Sequence, residues 1–319
     1  MTETGRFVRV VEVVRAEVGK AVVGQTALVD GLLIGLITGG HVLIEGVPGT
    51  AKTLLARALA HSLDASFKRI QFSPDMMPAD VVGTNVFDAD SSTFRLRTGP
   101  VFANIVLADE INRTPPKTQA ALLEAMQESQ VTIDGVTHEL PSPFMVIATQ
   151  NPVEYEGTYP LPEAQLDRFQ QKLVVGYPSA EEEAQIVRRH LGEAAWADLD
   201  ALGLQAVASV EDVLAARAEL ATVVVDDSVV EYAAQIVRDT REHASVLLGA
   251  SPRAAVSLIT ASSAHALLSG RDFVTPDDIK AMTPQCLRHR LLLRPEVEIE
   301  GVAVDGMLAD VLSAVPVPR

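Results

Sequence analysis

A glycine-rich turn between an apolar run and a helix constrains this chain more than any other feature. The segment Gly46–Thr53 reads GVPGTAKT; it follows the apolar run His41–Ile44 and opens the helix-forming stretch Lys52–Leu63. Glycines let backbone amides curl around an anion at a helix N-terminus, where Lys52 would meet phosphates and the Thr53 hydroxyl a magnesium ion. The sequence therefore predicts a strand, a phosphate-binding loop and a helix in this order.

Ala51 stands at a position where loops of this pattern usually have glycine. We expect Ala51 to lie already within the helix, where alanine is well tolerated, so that the loop keeps its function. The residues of this loop predicted to bind a nucleotide are Gly46, Pro48, Gly49, Thr50, Ala51, Lys52 and Thr53.

Short apolar runs alternate with helical stretches over the first half of the chain. The runs of strand length are His41–Ile44, Phe67–Phe72, Asn104–Ala108, Phe144–Thr149 and Lys172–Val175. This alternation is typical of an α/β fold with a parallel sheet, here of about five strands, covered by helices on both faces. After Pro178 the apolar residues recur at helical spacing almost to the end. We therefore predict an α/β core over residues 1–177 and a helical domain over residues 178–319.

Two segments with alternating polar and apolar residues interrupt the core pattern. The first, at about residues 78–100, has alternating arms over Thr84–Phe87 and Thr93–Arg97 around the polar turn Asp88–Ser92. The second, residues 130–140, turns at Asp134-Gly135. Alternation on both sides of a polar turn predicts β-hairpins, inserted here between elements of the core.

The apolar run Ile105–Ala108 ends in Asp109 and Glu110. A carboxylate at the end of a buried strand can hold a magnesium ion, and its neighbour can polarise an attacking water. Alone, such a run is as often an ordinary strand end. Because it follows a phosphate-binding loop, we predict Asp109 as a magnesium ligand together with Thr53, and Glu110 as a catalytic base.

Charge and cysteine content narrow the classes of partner. The chain has 26 Lys and Arg residues against 42 Asp and Glu, a net charge of −16, which disfavours a general nucleic-acid binder. The single cysteine, Cys286, allows no intramolecular disulfide and fits a reducing compartment. The first residues lack the pattern of a signal peptide, and the apolar stretch Gly31–Ile44 is shorter than the ~20 residues that span a bilayer. We expect a cytoplasmic protein without a membrane segment.

Five segments in combination resemble a known family. They are Gly46–Thr53, Asp109–Arg113, Ala120–Met126, Ala148–Pro152 and Leu161–Phe169. With them the sequence is similar to the MoxR-family AAA+ ATPases, in the helix-2-insert branch that also holds magnesium-chelatase ATPase subunits. The resemblance covers nearly the whole chain. It implies an α/β core that binds ATP and Mg²⁺, a C-terminal helical lid, and a homo-oligomeric ring, often a hexamer, with ATP at each subunit boundary.

The resemblance gives catalytic roles to residues of the core. Asn151 matches the residue that orients the attacking water, and Arg168 matches the arginine finger that reaches the neighbour's γ-phosphate. Each also has a plainer interpretation. Asn151 is a turn residue before a proline, and Arg168 is a surface partner of Asp167 or Glu163.

The resemblance extends to the lid and to the segment before the phosphate loop. Arg253 matches a lid arginine that meets the nucleotide. Ser251 and Pro252 are typical of a helix start, so Arg253 would place a cation at the positive end of a helix dipole, which favours a phosphate nearby. The plainer alternative is a solvated arginine, because such dipole effects are small. Val23 and Gly24 match the adenine-binding segment, although apolar residues before a glycine also indicate a plain helix break.

The function implied by the resemblance is ATP hydrolysis by a ring that remodels or matures other proteins, with a partner that carries a von Willebrand factor A domain. Both hairpins resemble features that face the central pore in this branch; the plainer alternative is that they complete ring packing. Three other functions stay open. They are the motor subunit of a metal chelatase, a nucleic-acid motor, and a nucleotide-dependent assembly switch with little turnover.

Overall fold

A parallel sheet lies at the centre of the computed structural model, which describes residues 5–47, 49–151, 157–192 and 198–318. In chain order the strands are β1 (Val42–Gly46), β2 (Phe67–Gln71), β3 (Gly83–Asp88), β4 (Thr93–Thr98), β5 (Ile105–Asp109), β6 (Gln130–Ile133), β7 (Val136–Glu139), β8 (Met145–Gln150), β9 (Gln171–Val175), β10 (Val246–Leu248) and β11 (Leu292–Leu293). The central sheet has five strands in the order β2-β5-β8-β1-β9, and every pair is parallel. This confirms the predicted α/β fold with a five-stranded parallel sheet.

The register of this sheet sets where its strands end. Ile147 on β8 pairs with Val42 on β1 and with Leu107 on β5, so the three strands run side by side. Their carboxyl ends meet at one edge, and the loop after β1 and the acidic end of β5 lie there. In an open α/β sheet, ligands bind at this edge.

Helices cover both faces of the sheet and form the C-terminal part of the chain. They are α1 (Arg6–Ala21), α2 (Thr26–Thr38), α3 (Lys52–Ser62), α4 (Pro78–Val82), α5 (Pro116–Glu128), α6 (Glu163–Leu166), α7 (Ala180–Gly192), α8 (Val210–Glu219), α9 (Asp227–Glu242), α10 (Pro252–Leu268), α11 (Pro276–Leu287), α12 (Pro295–Ile299) and α13 (Val304–Ala314). The C-terminal helices are the predicted lid.

The N-terminal helices join the core to the lid. Helices α1 and α2 pack against α8 and α10, and Phe7, Leu33 and Leu258 belong to one buried apolar cluster. At the end of α8, the Glu219 carboxylate accepts hydrogen bonds from the backbone N–H groups of Arg6 (2.7 Å) and Phe7 (2.8 Å), which have no partner within α1. The division at residues 177 and 178 stays a prediction, and helices from both sides of it share this cluster.

Both predicted hairpins are present. The first is formed by β3 and β4, and the second by β6 and β7. Phe87 and Phe94 face each other across the first hairpin as an edge-to-face pair with ring centroids 5.4 Å apart, yet 54% and 72% of these side chains are exposed. The Asn85 side chain donates a hydrogen bond of 2.9 Å to Asp134 and so links the two hairpins.

His41, just before β1, is a buried histidine whose two ring nitrogens have different roles. Its Nδ1 accepts a hydrogen bond of 3.0 Å from the Val146 N–H, so the proton is on Nε2, which donates to the Met126 carbonyl at 2.9 Å. Burial lowers the pKa of His41 to about 4, although the bond to Met126 works in the opposite direction. Protonation of Nδ1 would break the bond from Val146.

Acidification should therefore destabilise the protein through His41. A histidine in the unfolded chain has a pKa near 6.5, whereas folded His41 stays neutral down to about pH 4. The contribution of neutral His41 to the free energy of unfolding is therefore present above pH 6.5 and is lost as the pH falls towards 4. In urea unfolding, the loss of stability between pH 7 and pH 5 should be about 2 kcal/mol smaller in His41→Gln than in the wild type. His138→Gln, at a histidine on β7, is the control variant. Equal slopes for His41→Gln and the wild type would contradict this account.

Candidate nucleotide-binding and hydrolysis site

A cavity of about 520 Å³ opens at the carboxyl edge of the sheet. The phosphate loop forms its floor, and the ends of β5 and β8 form one wall. The predicted site residues that line it are Val23, Gly46, Gly49, Thr50, Ala51, Lys52, Thr53, Asp109, Glu110 and Asn151. Pro48 lies outside the described residues. The structure thus brings together the two acidic residues, the phosphate loop and Asn151, which are far apart in sequence.

The backbone of the phosphate loop takes a left-handed conformation at two positions. Gly49 has φ +83°, and a β-carbon added there would meet nothing within 4 Å, so the space beside this part of the phosphate loop is open. Ala51 has φ +57°, and α3 begins only at Lys52. The expectation that Ala51 is already helical is therefore wrong. A residue with a β-carbon is strained in this conformation, which explains why loops of this pattern usually have glycine here.

Replacing Ala51 with glycine should stabilise the protein. Relief of the left-handed strain, about 1–2 kcal/mol, exceeds the entropic cost of a glycine, about 0.5–1 kcal/mol, so we expect a net gain of up to about 1 kcal/mol. Urea unfolding measures it. Ala56→Gly, in the right-handed interior of α3, is the matched control and should lose about 1 kcal/mol. A loss of stability in Ala51→Gly would show that the strain is not there.

The Lys52 side chain folds back onto the phosphate loop that precedes it. Its ammonium donates to the carbonyls of Gly46 (2.9 Å) and Val47 (2.8 Å). Burial lowers the pKa of Lys52, and the charges of Asp109 and Glu110 partly counter this effect. The positive charge therefore stands at the floor of the cavity, where it can meet the phosphates of a nucleotide.

Asp109 ends β5 and is held by two neighbouring strands. Its Oδ1 accepts a hydrogen bond of 2.6 Å from the Thr149 hydroxyl on β8, and its Oδ2 accepts one of 2.7 Å from Arg69 on β2. The carboxylate and the Thr53 hydroxyl line the same cavity. Oxygen donors of this kind suit Mg²⁺, so this pair fits the magnesium site that the sequence predicts.

Glu110 leaves the strand in a left-handed conformation, with φ +56°. Its N–H donates to the Thr149 hydroxyl (2.9 Å), and its carboxylate accepts from the Gln71 side chain (2.8 Å) and from Arg113 (3.2 Å). A residue other than glycine in this conformation costs energy and is common at functional sites. The strained turn directs the carboxylate into the cavity beside the phosphate loop.

Sequence reasoning missed three residues that hold the acidic pair. Thr149 bridges Asp109 and Glu110, while Arg69 and Gln71 bind them from β2. Thr149 lies in a segment that carries the resemblance, but no sequence pattern indicates that its hydroxyl contacts the acidic pair. Arg69 and Gln71 reach the acidic pair because β2 pairs with β5, which places Gln71 beside Asp109. A single sequence does not reveal this pairing.

The other end of the cavity is apolar and lies between α7 and the segment after α1. Val22 and Val23 line it, as do Ile186 and Arg189 from α7, which sequence reasoning also missed. The Arg189 guanidinium donates to the Lys20 carbonyl (2.8 Å) and so joins the lid to the end of α1. An apolar slot of this kind suits a flat purine base.

Gly24 is not among the described residues that line the cavity, although its neighbours Val23 and Gln25 are. It has φ +68°, and a β-carbon added there would lie 2.1 Å from a carboxylate oxygen of Glu182 on α7. The left-handed backbone at this position favours glycine, and a larger residue would require the Glu182 side chain to move. Gly24 therefore shapes the predicted base-binding end without contributing a side chain.

Two predicted catalytic residues lie elsewhere. Arg168 and Arg253 line a second cavity, of about 380 Å³, together with Arg217 and Arg290. The Arg168 guanidinium donates to the Leu123 carbonyl on α5 at 2.8 Å. Helix α10 begins at Pro252 after Ser251, as predicted, but Arg253 does not face the phosphate loop of its own chain. The positive charge of Arg253, at the start of α10, therefore lies beside the same cavity as Arg168.

Comparisons with known proteins identify the family. Residues 41–171 match the model of the ATPase family associated with various cellular activities (AAA), and residues 238–310 match an AAA lid domain. The chain is 43% identical over 312 residues to the chaperone MoxR1 of Mycobacterium tuberculosis, covering 95% of this chain and 81% of MoxR1. It belongs to the MoxR family of AAA ATPases, which confirms the resemblance read from its motifs.

A solved structure and a more distant relative agree with this assignment. A candidate ATPase from Cytophaga hutchinsonii superposes with a TM-score of 0.90 at 43% identity, covering 98% of this chain and 96% of that chain. The magnesium-chelatase subunit ChlI-1 of Arabidopsis thaliana is 29% identical over 218 residues, 66% of this chain and 48% of that subunit. Within the described ranges, no helix has the length and apolar character needed to cross a membrane.

Proposed function

We propose that this ATPase works as a homo-oligomeric ring, a hexamer by family resemblance, in which each nucleotide lies between two subunits. One observation carries this proposal. Lys52, Asp109 and Glu110 line one cavity, whereas Arg168 and Arg253 line another. Phosphoryl transfer needs cations around the γ-phosphate beyond the lysine of the loop, and arginines supplied by a neighbour meet that need. The second cavity of one subunit would then close over the first cavity of the next.

The proposed reaction adds water to the γ-phosphorus of ATP and breaks its bond to the oxygen that bridges the β- and γ-phosphates. Glu110 takes a proton from the attacking water, and Asn151 orients that water. Lys52 and the neighbour's Arg168 and Arg253 stabilise the charge that develops on the phosphate oxygens. Asp109 and Thr53 would hold Mg²⁺, which supplies charge neutralisation between the phosphates when bound.

Replacing Glu110 with glutamine should separate binding from hydrolysis. The variant keeps the phosphate contacts but loses the base, so we expect nucleotide binding to stay and hydrolysis to fall at least ~10²-fold. Lys52→Ala is the contrasting variant and should lose nucleotide affinity. Equilibrium binding of a fluorescent nucleotide and steady-state phosphate release measure the two effects. An unchanged rate in Glu110→Gln would end its assignment as base.

Mixing variants should show that Arg168 acts across a subunit boundary. Rings of Arg168→Ala should bind ATP but hydrolyse it at least ~10²-fold more slowly, because an arginine finger contributes ~10³–10⁵-fold in rate. In equal mixtures with Lys52→Ala, about one boundary in four pairs an intact loop with an intact Arg168, so activity should return. Arg9→Ala, an exposed arginine of α1 that lines neither cavity, should hydrolyse normally. No recovery on mixing, with assembly verified, would contradict action in trans.

The cellular role that we propose is chaperone-like remodelling or maturation of protein complexes. Two observations support it: a relative that is 43% identical is named a chaperone, and the linked hairpins expose the aromatic pair Phe87 and Phe94. By family resemblance the hairpins face the pore, and a protein with a von Willebrand factor A domain is the expected partner. A cytoplasmic location stays part of this proposal.

Two other motor functions have less support. A chelatase motor would use the same site, but the magnesium-chelatase relative is less similar and covers less of the chain than MoxR1. A nucleic-acid motor needs clustered cations and aromatic platforms, whereas this chain has a net charge of −16 and 4% aromatic residues.

A further inference from the structure

Arg290 is a charged residue in the interior, behind the face that carries Arg168 and Arg253. Only 5% of it is exposed. Its guanidinium donates to the carbonyls of Cys286 (2.7 Å) and Phe169 (2.9 Å) and to the Ser257 hydroxyl (3.1 Å). A buried guanidinium is stable only when its hydrogen bonds and its charge are satisfied. Its contacts reach three chain segments: the one after α6, helix α10 and the end of α11.

The charge of Arg290 is balanced by Asp167, whose Oδ1 lies 2.7 Å from Nε of Arg290. The same carboxylate accepts a hydrogen bond from the Ser251 hydroxyl, with Oγ 3.0 Å from Oδ2. Ser251 precedes α10, but its side chain caps no amide of that helix. Its hydroxyl is used instead to join the start of α10 to Asp167.

Asp167 and Ser251 are both close in sequence to an arginine of the proposed boundary. Asp167 directly precedes Arg168, and Ser251 lies two residues before Arg253. Arg168 is partly exposed, Arg253 is exposed, and both line the second cavity. The segments that carry the two arginines therefore meet at one partly buried carboxylate, Asp167, which pairs with Arg290 and accepts a hydrogen bond from Ser251.

We infer that Arg290 is a positioning residue for hydrolysis at the neighbouring subunit. Through Asp167 it holds Arg168 and, by way of Ser251, Arg253 at the spacing that a γ-phosphate requires. This inference rests on the proposed function, because it needs the two arginines to act in trans. Arg290 lines the second cavity but is only 5% exposed, and in this inference it acts through Asp167.

The test compares three variants. Arg290→Lys keeps the charge but cannot form the guanidinium contacts, and Ser251→Ala removes the bond to Asp167 without removing a helix cap. Arg288→Lys is the matched control: Arg288 lies in the same turn after α11, pairs with Asp305 at 3.0 Å and makes no contact with Asp167.

Arg290→Lys should lower kcat at least ~10-fold, because displacement of a catalytic group by ~1 Å costs up to ~10²-fold in rate. Ser251→Ala should also lower kcat, by ~3-fold or more, because it removes only the bond between the start of α10 and Asp167. Nucleotide affinity at the variant's own phosphate loop and ring assembly should stay at the wild-type level. Arg288→Lys should hydrolyse ATP within about twofold of the wild type.

Mixing identifies which face of the subunit is damaged. Arg290→Lys should recover activity when mixed with Lys52→Ala, whose arginines are intact, but not when mixed with Arg168→Ala. Recovery with Arg168→Ala would place the defect in the variant's own nucleotide cavity and overturn the inference. Wild-type kcat in both Arg290→Lys and Ser251→Ala would also overturn it.

Two further outcomes of these experiments distinguish failure of the inference from failure of the proposed function. If Arg290→Lys fails to fold, Ser251→Ala decides alone, by the same mixing experiment. If Arg168→Ala and Lys52→Ala do not complement each other, the proposed function itself fails, and that result does not depend on any variant of Arg290.

Discussion

The parallel register of β1, β8 and β5 is the constraint on which the rest of this structure depends. Because β8 lies between the other two strands, the phosphate loop after β1 and the carboxylates at the end of β5 flank one position, which Thr149 of β8 occupies. Its hydroxyl donates to Asp109 and accepts from the N–H of Glu110. One side chain thereby holds the Asp109 carboxylate and the backbone of Glu110 beside the phosphate loop.

Under the proposed function, the hydrolysis site on a single chain is incomplete. Its cavity has Lys52, the acidic pair and the apolar slot predicted to bind the base, but Arg168 and Arg253 line another cavity. The lid contributes to both halves, since Arg189 on α7 contacts the end of α1 and Ser251 before α10 contacts Asp167. Movement of the lid would therefore change the nucleotide slot of a subunit and the arginines it offers to its neighbour. In the proposed ring, this movement would link the nucleotide states of adjacent subunits.

Most of the fold could be predicted because its signals are local. An apolar run, a glycine-rich turn and a helix follow one another at Gly46–Thr53, and the hairpins show alternation around polar turns. The strands β10 and β11, of three and two residues, and the short helix α6 were missed because segments this short have no measurable period.

The features of the site that the sequence did not predict depend on three-dimensional structure, such as backbone conformation and contacts between segments far apart along the chain. Nothing local distinguishes an alanine at a helix start from one in a left-handed turn, so the strain at Ala51 was not foreseen. The sequence favoured an anion near Arg253, but it did not indicate that Arg253 lines a different cavity from the phosphate loop of its own chain. Likewise, Gln71 contacts Glu110 only because β2 pairs with β5.

In the proposed ring, one chain holds the phosphate loop, the base Glu110 and Asn151, whereas the arginines of its site come from a neighbour. ATPase activity per subunit, measured during dilution at saturating ATP and Mg²⁺ while light scattering follows assembly, separates this arrangement from a site that is complete in one chain. We expect activity per subunit to be constant for assembled rings and to fall together with assembly, while nucleotide binding by the dissociated chain persists. Full activity per subunit in the dissociated chain would contradict it.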